Sequence, residues 1–142
     1  MKYCPCGSKK PYPYCCQPYH TGTKLPLTPL DLMRSRYSAY ALNIPSYIIE
    51  TTHPDSPLFQ NDPKKWKNDI LLFSLTTAFQ KLEILDFIPG DEEAFVTFIA
   101  HIMQSGEDAT FTEKSRFLKE EGRWYYHSGK IKNGIAAKED FS

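Results

Sequence analysis

Ala109-Thr110-Phe111-Thr112-Glu113-Lys114-Ser115-Arg116-Phe117-Leu118-Lys119-Glu120-Glu121-Gly122-Arg123-Trp124-Tyr125-Tyr126-His127-Ser128 is the stretch from which the fold is read. Two runs with aromatic and β-branched residues flank Glu120-Glu121-Gly122, which supplies a turn. Ala109 to Lys119 is therefore predicted as one strand and Arg123 to Ser128 as the next. Side chains alternate across a strand, so Glu113, Ser115 and Phe117 share one face, with Lys114, Arg116 and Leu118 on the other. Tyr125 and His127 likewise share a face opposite Trp124 and Tyr126. Two further strands precede these: Ala94 to Gln104, closed by Ser105-Gly106, and Phe79 to Ile88, closed by Pro89-Gly90-Asp91. Four short strands joined by hairpin turns predict an antiparallel sheet.

Before Leu75 the period is helical. Asp62-Pro63 supplies a cap and a first-turn proline, and Trp66, Ile70 and Phe73 recur at helical spacing, which predicts a helix over roughly Lys64 to Leu75. Pro45 opens a short helix through Tyr47, Ile48 and Ile49, and His53-Pro54 ends it, because proline disfavours helical geometry in the residue before it. Thr28-Pro29 reads as an N-cap and first helical residue, with Asp31 in the first turn, and this helix is expected to run to about Asn43. Leu30, Met33, Tyr37, Tyr40, Ala41 and Ile44 form its buried face. Three helices followed by a four-stranded antiparallel sheet make an α+β fold with one sheet face covered by helices. Residues 131–142 are polar enough to be expected as a loosely held tail.

Composition bounds the function. The 142 residues hold 17 Lys+Arg and 17 Asp+Glu, so the chain lacks the excess positive charge of a general nucleic-acid coat. The average hides an asymmetry: Lys2, Lys9, Lys10 and Lys24 meet no acid before Asp31. Pro18 to Pro29 reads as an extended connector, which divides a basic N-terminal piece (1–24) from the α+β domain (25–130). Runs such as Ile70-Leu71-Leu72-Phe73 fall far short of the roughly 20 apolar residues a membrane span needs. Met1-Lys2-Tyr3 leads into Cys4 without the apolar stretch of a secretory signal, so a cytoplasmic location is expected.

The four cysteines are two close pairs, Cys4-Pro5-Cys6 and Cys15-Cys16, separated by Gly7-Ser8-Lys9-Lys10-Pro11-Tyr12-Pro13-Tyr14. Four thiolates can surround one Zn²⁺ tetrahedrally, and such a closed shell leaves no position for a water nucleophile, so the site would be structural. Disulfide or redox use is the rival reading; a Cys15–Cys16 bridge would need a strained ring between neighbours, and the cytoplasm reduces most disulfides. Incidental thiols are a third. His20, four residues after Cys16, could replace one sulfur, although a histidine in a proline-rich linker is more often solvated. A piece this short cannot bury enough surface to fold alone, so metal binding would supply most of its folding free energy. Lys9, Lys10, Tyr12 and Tyr14 around it form a basic, aromatic set suited to docking on an acidic surface or RNA, or the tyrosines pack over the metal site.

Cys4-x-Cys6-x8-Cys15-Cys16 with Pro5, Gly7, Ser8 and Lys9 resembles the SEC-C motif, a small zinc-binding module known from the C-terminal tail of the SecA translocation ATPase. The resemblance implies that the four cysteines are Zn²⁺ ligands. It also implies an adaptor that docks on partners such as the export chaperone SecB, the ribosome or anionic phospholipid. The order of helices and strands resembles the nuclear transport factor 2-like fold, a curved sheet forming a cone with helices across its mouth. More narrowly, the segments 32–40, Thr52-His53-Pro54, 113–117 and 122–126 are similar to those of the YchJ family of uncharacterised bacterial proteins, over about residues 3–130. Many members carry a second SEC-C motif at the C-terminus. No cysteine follows Cys16 here, so the resemblance does not extend to a function needing two zinc modules.

Cones of this superfamily often bind small molecules, and ketosteroid isomerase performs acid-base chemistry in one. If the Glu113 face points inward, then Arg34, Tyr37, His53, Trp66, Glu113, Ser115, Tyr125 and His127 are the candidates to line a pocket. The competing readings are an internal Arg34–Glu113 pair, a helix-end role for His53 and a packed core position for His101. No nucleophile motif or phosphate-cradling glycine loop is present. The expected function is a non-enzymatic zinc-binding adaptor whose cone holds a peptide, a small ligand or a second copy of the chain. The alternatives are a lyase or isomerase using the cavity, and ribosome or nucleic-acid binding through Lys9 and Lys10.

Overall fold

A computed structural model describes residues 2–141; Met1 and Ser142, the last residue of the expected tail, lie outside the described residues. The elements run α1 (Gln17–His20), α2 (Pro29–Ala41), α3 (Pro45–Glu50), α4 (Pro63–Leu75), β1 (Thr77–Ile88), β2 (Glu93–Gln104), β3 (Glu107–Asp108), β4 (Phe111–Glu120) and β5 (Arg123–Asn133). The cap signals act as predicted. Thr28 Oγ1 accepts the Asp31 N–H at 3.1 Å, and Asp62 Oδ1 accepts those of Lys64 and Lys65 at 3.1 and 3.2 Å.

The sheet is antiparallel in the order β1-β2-β4-β5, with the two-residue β3 paired to the end of β2. Register shifts between Phe79 and Lys81 and between Ile84 and Asp86 in β1, and at His127 of β5 opposite Arg116 and Phe117, interrupt the ladder. Each such irregularity bends its strand and adds twist, which lets long strands curl around the helices. Ala94, Val96, Phe98, Ala100 and Ile102 of β2 form one buried face with Phe117 and Tyr126. Leu32, Met33, Tyr37 and Ala39 of α2, Tyr47 and Ile48 of α3, and Trp66 and Ile70 of α4 complete that core. The end of α3 is stitched to β5: His53 N–H donates to Tyr126 O and Tyr126 N–H to Thr51 O, each at 2.8 Å.

Two expectations change. His101 is not a packed core residue: it lies on the sheet face opposite Ala100 and Ile102, is partly exposed, and its Nε2 sits 2.8 Å from Glu83 Oε1. The Lys81 ammonium shares the same carboxylate at 3.4 Å. Nor is the C-terminal stretch loosely held. β5 continues to Asn133, and the chain then folds over the sheet face turned away from the helices. Thr112 Oγ1, on that face, donates to Gly134 O at 2.8 Å and accepts the Ala136 N–H at 2.9 Å. A 3-10 turn over Lys138–Phe141 buries Phe141, with the Lys132 ammonium 5.7 Å above its ring. The tail is anchored by an aromatic ring, by hydrogen bonds to Thr112 and to the Thr110 carbonyl, and by the Lys138–Asp86 pair at 4.0 Å.

Phe141→Ala is expected to lower stability by about 3 kcal/mol, as truncation of a buried aromatic does, measured by urea denaturation. A loss below about 0.5 kcal/mol, the range of ordinary surface changes, would show a dispensable tail.

Candidate metal centre and cavity

The N-terminal piece is a knuckle with almost no apolar core of its own. A bridge between Tyr3 and Pro11 closes its loop, Cys4 N–H donates to Lys10 O at 2.8 Å, and Gly7 makes the turn after the first cysteine pair at φ +83°. The second pair follows a 3-10 turn, Tyr12–Tyr14, and leads directly into α1. The four sulfurs lie within 4.8 Å of one another, with Cys6 to Cys15 at 3.5 Å and Cys15 to Cys16 at 3.9 Å. Four sulfurs each about 2.3 Å from one tetrahedral metal ion stand about 3.8 Å apart, so this cluster has the size of a metal shell. It is far too open for disulfides, whose S–S length is about 2.05 Å, and all four cysteines are free.

Without a cation this cluster is electrostatically uneven. Hydrogen bonds with Cys4 and Cys6, together with burial, push the Cys16 thiol well above its ordinary value, while hydrogen bonds from Cys16 and Cys4 pull Cys6 far below. Four thiolates can coexist there only around a cation. The four cysteines therefore form a site that can hold a metal ion.

The knuckle is bound to the helical layer through polar contacts. Arg34 Nη1 donates to Cys6 O at 2.8 Å, so Arg34 faces the knuckle, outside the cavity where the sequence placed it. His20 neither replaces a sulfur in the cluster nor stands solvated. Its Nε2 lies 2.8 Å from Ser35 O, its Nδ1 lies 2.7 Å from Tyr12 Oη, and its ring meets Tyr47 edge-on at 4.9 Å. A carbonyl can only accept, so Nε2 carries the proton and Nδ1 accepts from Tyr12. Burial lowers the His20 pKa and keeps the ring neutral in this role. Tyr12 is thus turned inward against the cysteines, and the expected docking set loses it. Lys9 and Lys10 remain exposed, and Tyr14 is 76% exposed.

On the other side of α2 a cavity of about 470 Å³ opens between the helices and the sheet. Tyr37, Trp66, Glu113 and Ser115 line it as expected from the sequence, and Arg36, Tyr40 and Tyr126 line it unexpectedly. The Arg34–Glu113 pair does not form. Arg36 is the buried guanidinium on this side, and Glu113 Oε2 accepts from Ser115 Oγ at 2.5 Å and Tyr126 Oη at 3.0 Å. Burial pushes the Glu113 carboxyl up against these two hydrogen bonds and the nearby Arg36 charge. Room for it is made by Gly129, where a Cβ would collide with Glu113 Oε2.

His53, Tyr125 and His127 fall outside this cavity. They gather on the other side of β5, where the His53 ring lies 6.1 Å from Tyr125 and 5.5 Å from His127. His53 Nδ1 accepts the Asp55 N–H at 3.0 Å, and its Nε2 bonds Glu120 Oε1 at 3.0 Å. His53 is the buried stop of α3, tied to the β4–β5 hairpin. Strand pairing gives the signal that face alternation alone missed. The two-residue turn Glu121-Gly122 pairs Glu120 with Arg123 and hence Phe117 with Tyr126, so Tyr126 shares the Glu113 face. Arg36 was legible too, lying three residues after Met33 and four before Tyr40.

Residues 28–129 match the family model described as YchJ, middle NTF2-like domain. The chain belongs to the YchJ family. A relative from Serratia proteamaculans (strain 568), described as a UPF0225 protein, is 42% identical over 130 residues, covering 89% of this chain and 81% of the relative. Among solved structures, a SEC-C motif containing protein from Rhodopseudomonas palustris is similar with a TM-score of 0.79 and 35% identity, covering 91% of this chain and 98% of that one. Another, from Psychrobacter arcticus, has a TM-score of 0.74 at 28% identity, covering 96% and 86%. The YchJ family, the nuclear transport factor 2-like fold and the SEC-C motif expected from the sequence therefore all stand.

Gly129→Ala is expected to destabilise the protein by about 1–3 kcal/mol through overpacking, and much less in a Glu113→Ala background, as a double-mutant cycle in urea would show. Equal losses in both backgrounds would place the clash elsewhere. A pH series gives an independent check. The folded-state pKa of Glu113 lies above its ordinary value of 4.5, so the folded protein holds this proton more tightly. The stability it contributes is full below the ordinary value and is lost as pH rises through the folded value. Relative to Glu113→Gln, the wild type should therefore lose stability as pH rises above 4.5.

Proposed function

We propose that this chain is a cytoplasmic zinc-binding adaptor that docks a protein partner through its knuckle and carries a ligand in its cone. The observation that carries the reading is the four-sulfur cluster, whose size suits one tetrahedral ion. Bound Zn²⁺ would supply structural closure of the knuckle and, with four sulfurs around it, no reactive position. An all-thiolate site suits a reducing compartment, where the cysteines stay available as ligands.

The inner side of the knuckle is used up by Arg34 and His20. Its outer side presents Lys9, Lys10, Tyr14 and Tyr3, the last 67% exposed, in a segment without acidic residues. Exposed aromatic rings among lysines favour an acidic protein surface, as on a chaperone or a ribosome-associated protein. The cone is better suited to holding a ligand than to transforming one. The Ser115 and Tyr126 hydroxyls are both spent on Glu113, and among the described residues no histidine lines the cavity beside it.

Elemental analysis of freshly purified protein should find about one zinc per chain, with the four thiols reacting only after chelation. Cys15→Ser should release the metal, unfold residues 1–24 and abolish partner capture while the cone keeps its cooperative unfolding transition. Metal-free protein with four freely reactive thiols would overturn the zinc assignment. Undiminished capture by Cys15→Ser would overturn the docking role.

A further inference from the structure

The cavity contains a positive charge that no carboxylate among the described residues meets in an ion pair. Arg36 is only 7% exposed. Its Nη1 donates to Ile48 O at 3.1 Å, Thr51 Oγ1 at 2.7 Å and Thr52 Oγ1 at 3.1 Å, all neutral acceptors, and its guanidinium lies 4.6 Å from the centre of the Tyr126 ring. Nε and Nη2 have no acceptor among the described residues, and no ion pair there includes Arg36. A guanidinium stays ionised at any pH a protein survives, and a buried ion without a partner is costly.

The groups around it do not discharge it. Glu113, also 7% exposed, accepts two hydrogen bonds on Oε2 and none on Oε1. Its burial favours the neutral, proton-donating carboxyl. The buried Tyr37 hydroxyl has no partner either. At the rim, the Asp69 carboxylate is engaged by Lys65 at 3.0 Å and Gln60 at 3.2 Å, so the mouth does not repel an anion strongly. The remaining walls are apolar: Trp66, Phe73, Phe79, Phe98, Phe111 and Phe117. The volume falls within the range of about 300–1,000 Å³ typical of small-molecule sites.

We propose that the cavity binds a monocarboxylate with an aromatic or aliphatic body, its carboxylate facing the free edge of Arg36 and the unpartnered oxygen of Glu113, its body against the phenyl walls. This assignment rests on the reading of the cone as a ligand holder and adds the chemical class. A cationic ligand would be repelled by Arg36. A neutral one would leave the guanidinium uncompensated. A carboxylate meets it with the bidentate geometry that arginine recognises.

The test uses the full, metal-loaded chain and three probes of one shape: 4-phenylbutyrate, 4-phenylbutyramide and 4-phenylbutylamine, titrated by calorimetry and by ¹⁵N-resolved NMR. The acid should bind at least about tenfold more tightly than the amide, the amine should not bind, and the acid should shift the Arg36 Nε–H resonance. Arg36→Lys should weaken the acid about tenfold or more, because the planar fork is lost. Glu113→Gln, which keeps shape and hydrogen bonding but cannot ionise, should bind the acid at least as tightly as wild type. The NMR readout on wild type holds even if Arg36→Lys fails to fold. Equal or tighter binding of the amide or amine would overturn the carboxylate assignment and leave the ligand-holder reading standing. No saturable binding of any probe would overturn both.

Discussion

Helix α2 must find partners for polar groups on a segment with no solvent-facing side to spare. Leu32, Met33, Ser35, Arg36, Tyr37, Ser38 and Ala39 are all buried, so this helix is polar and enclosed at once. An enclosed polar group without a partner costs about 1–3 kcal/mol, and the solutions found for each one shape the molecule. Ser35 Oγ bonds back to Leu32 O and across to Tyr47 Oη, which fixes α3. Ser38 Oγ bonds Ser35 O and meets the His20 ring, which fixes the knuckle. Arg34 and Arg36, two residues apart, point to different sides, one to the Cys6 carbonyl and the other to the carbonyl and hydroxyls at the end of α3.

This arrangement explains why a knuckle with three buried cysteines for a core sits in a fixed place. Its contacts with the domain are directional hydrogen bonds made largely by backbone carbonyls, Cys6 on one side and Ser35 on the other. Such bonds constrain orientation more sharply than apolar area does, because they weaken steeply with angle. The knuckle backbone must therefore be in register before Arg34 and His20 find their acceptors. The sulfur cluster, by holding residues 4–16 in one loop, sets that register.

Much of this was legible in the sequence. Thr28-Pro29 and Asp62-Pro63 located two helices because capping is local chemistry, readable without the partner. The cysteine spacing located the sulfur cluster for the same reason. What failed depended on pairing between elements. Arg34 and Arg36 differ by about 200° around a helix, and no local rule says which one meets the knuckle and which the cavity. His101 sits in a run of apolar residues, yet its partners Lys81 and Glu83 are contributed by β1. Phe141 hides in a polar tail because what holds that tail, the Thr112 hydroxyl on β4 and Lys132 on β5, is supplied by other strands. Tyr126 was recoverable in principle, since the two-residue hairpin turn fixes the pairs from Glu120–Arg123 as far as Phe117–Tyr126, beyond which an irregularity shifts the register.

The same helix that braces the knuckle also forms a wall of the cavity. Arg34 and Arg36 share one turn of α2, so the contact with the Cys6 carbonyl and the contacts at the end of α3 are held by one short segment. Tyr37, next to Arg36, and Tyr40, one turn beyond it, continue the same wall. In most two-module chains a linker isolates the parts; here residues 21–28 connect them covalently, but Arg34 and His20 bypass the linker. The packing density of protein interiors makes such a wall respond by discrete repacking rather than by gradual flexing. Loss of the sulfur-held loop would take the Cys6 carbonyl from Arg34 and the Tyr12 hydroxyl from His20 together, and His20 is itself the contact to Ser35 and Ser38 of the helix.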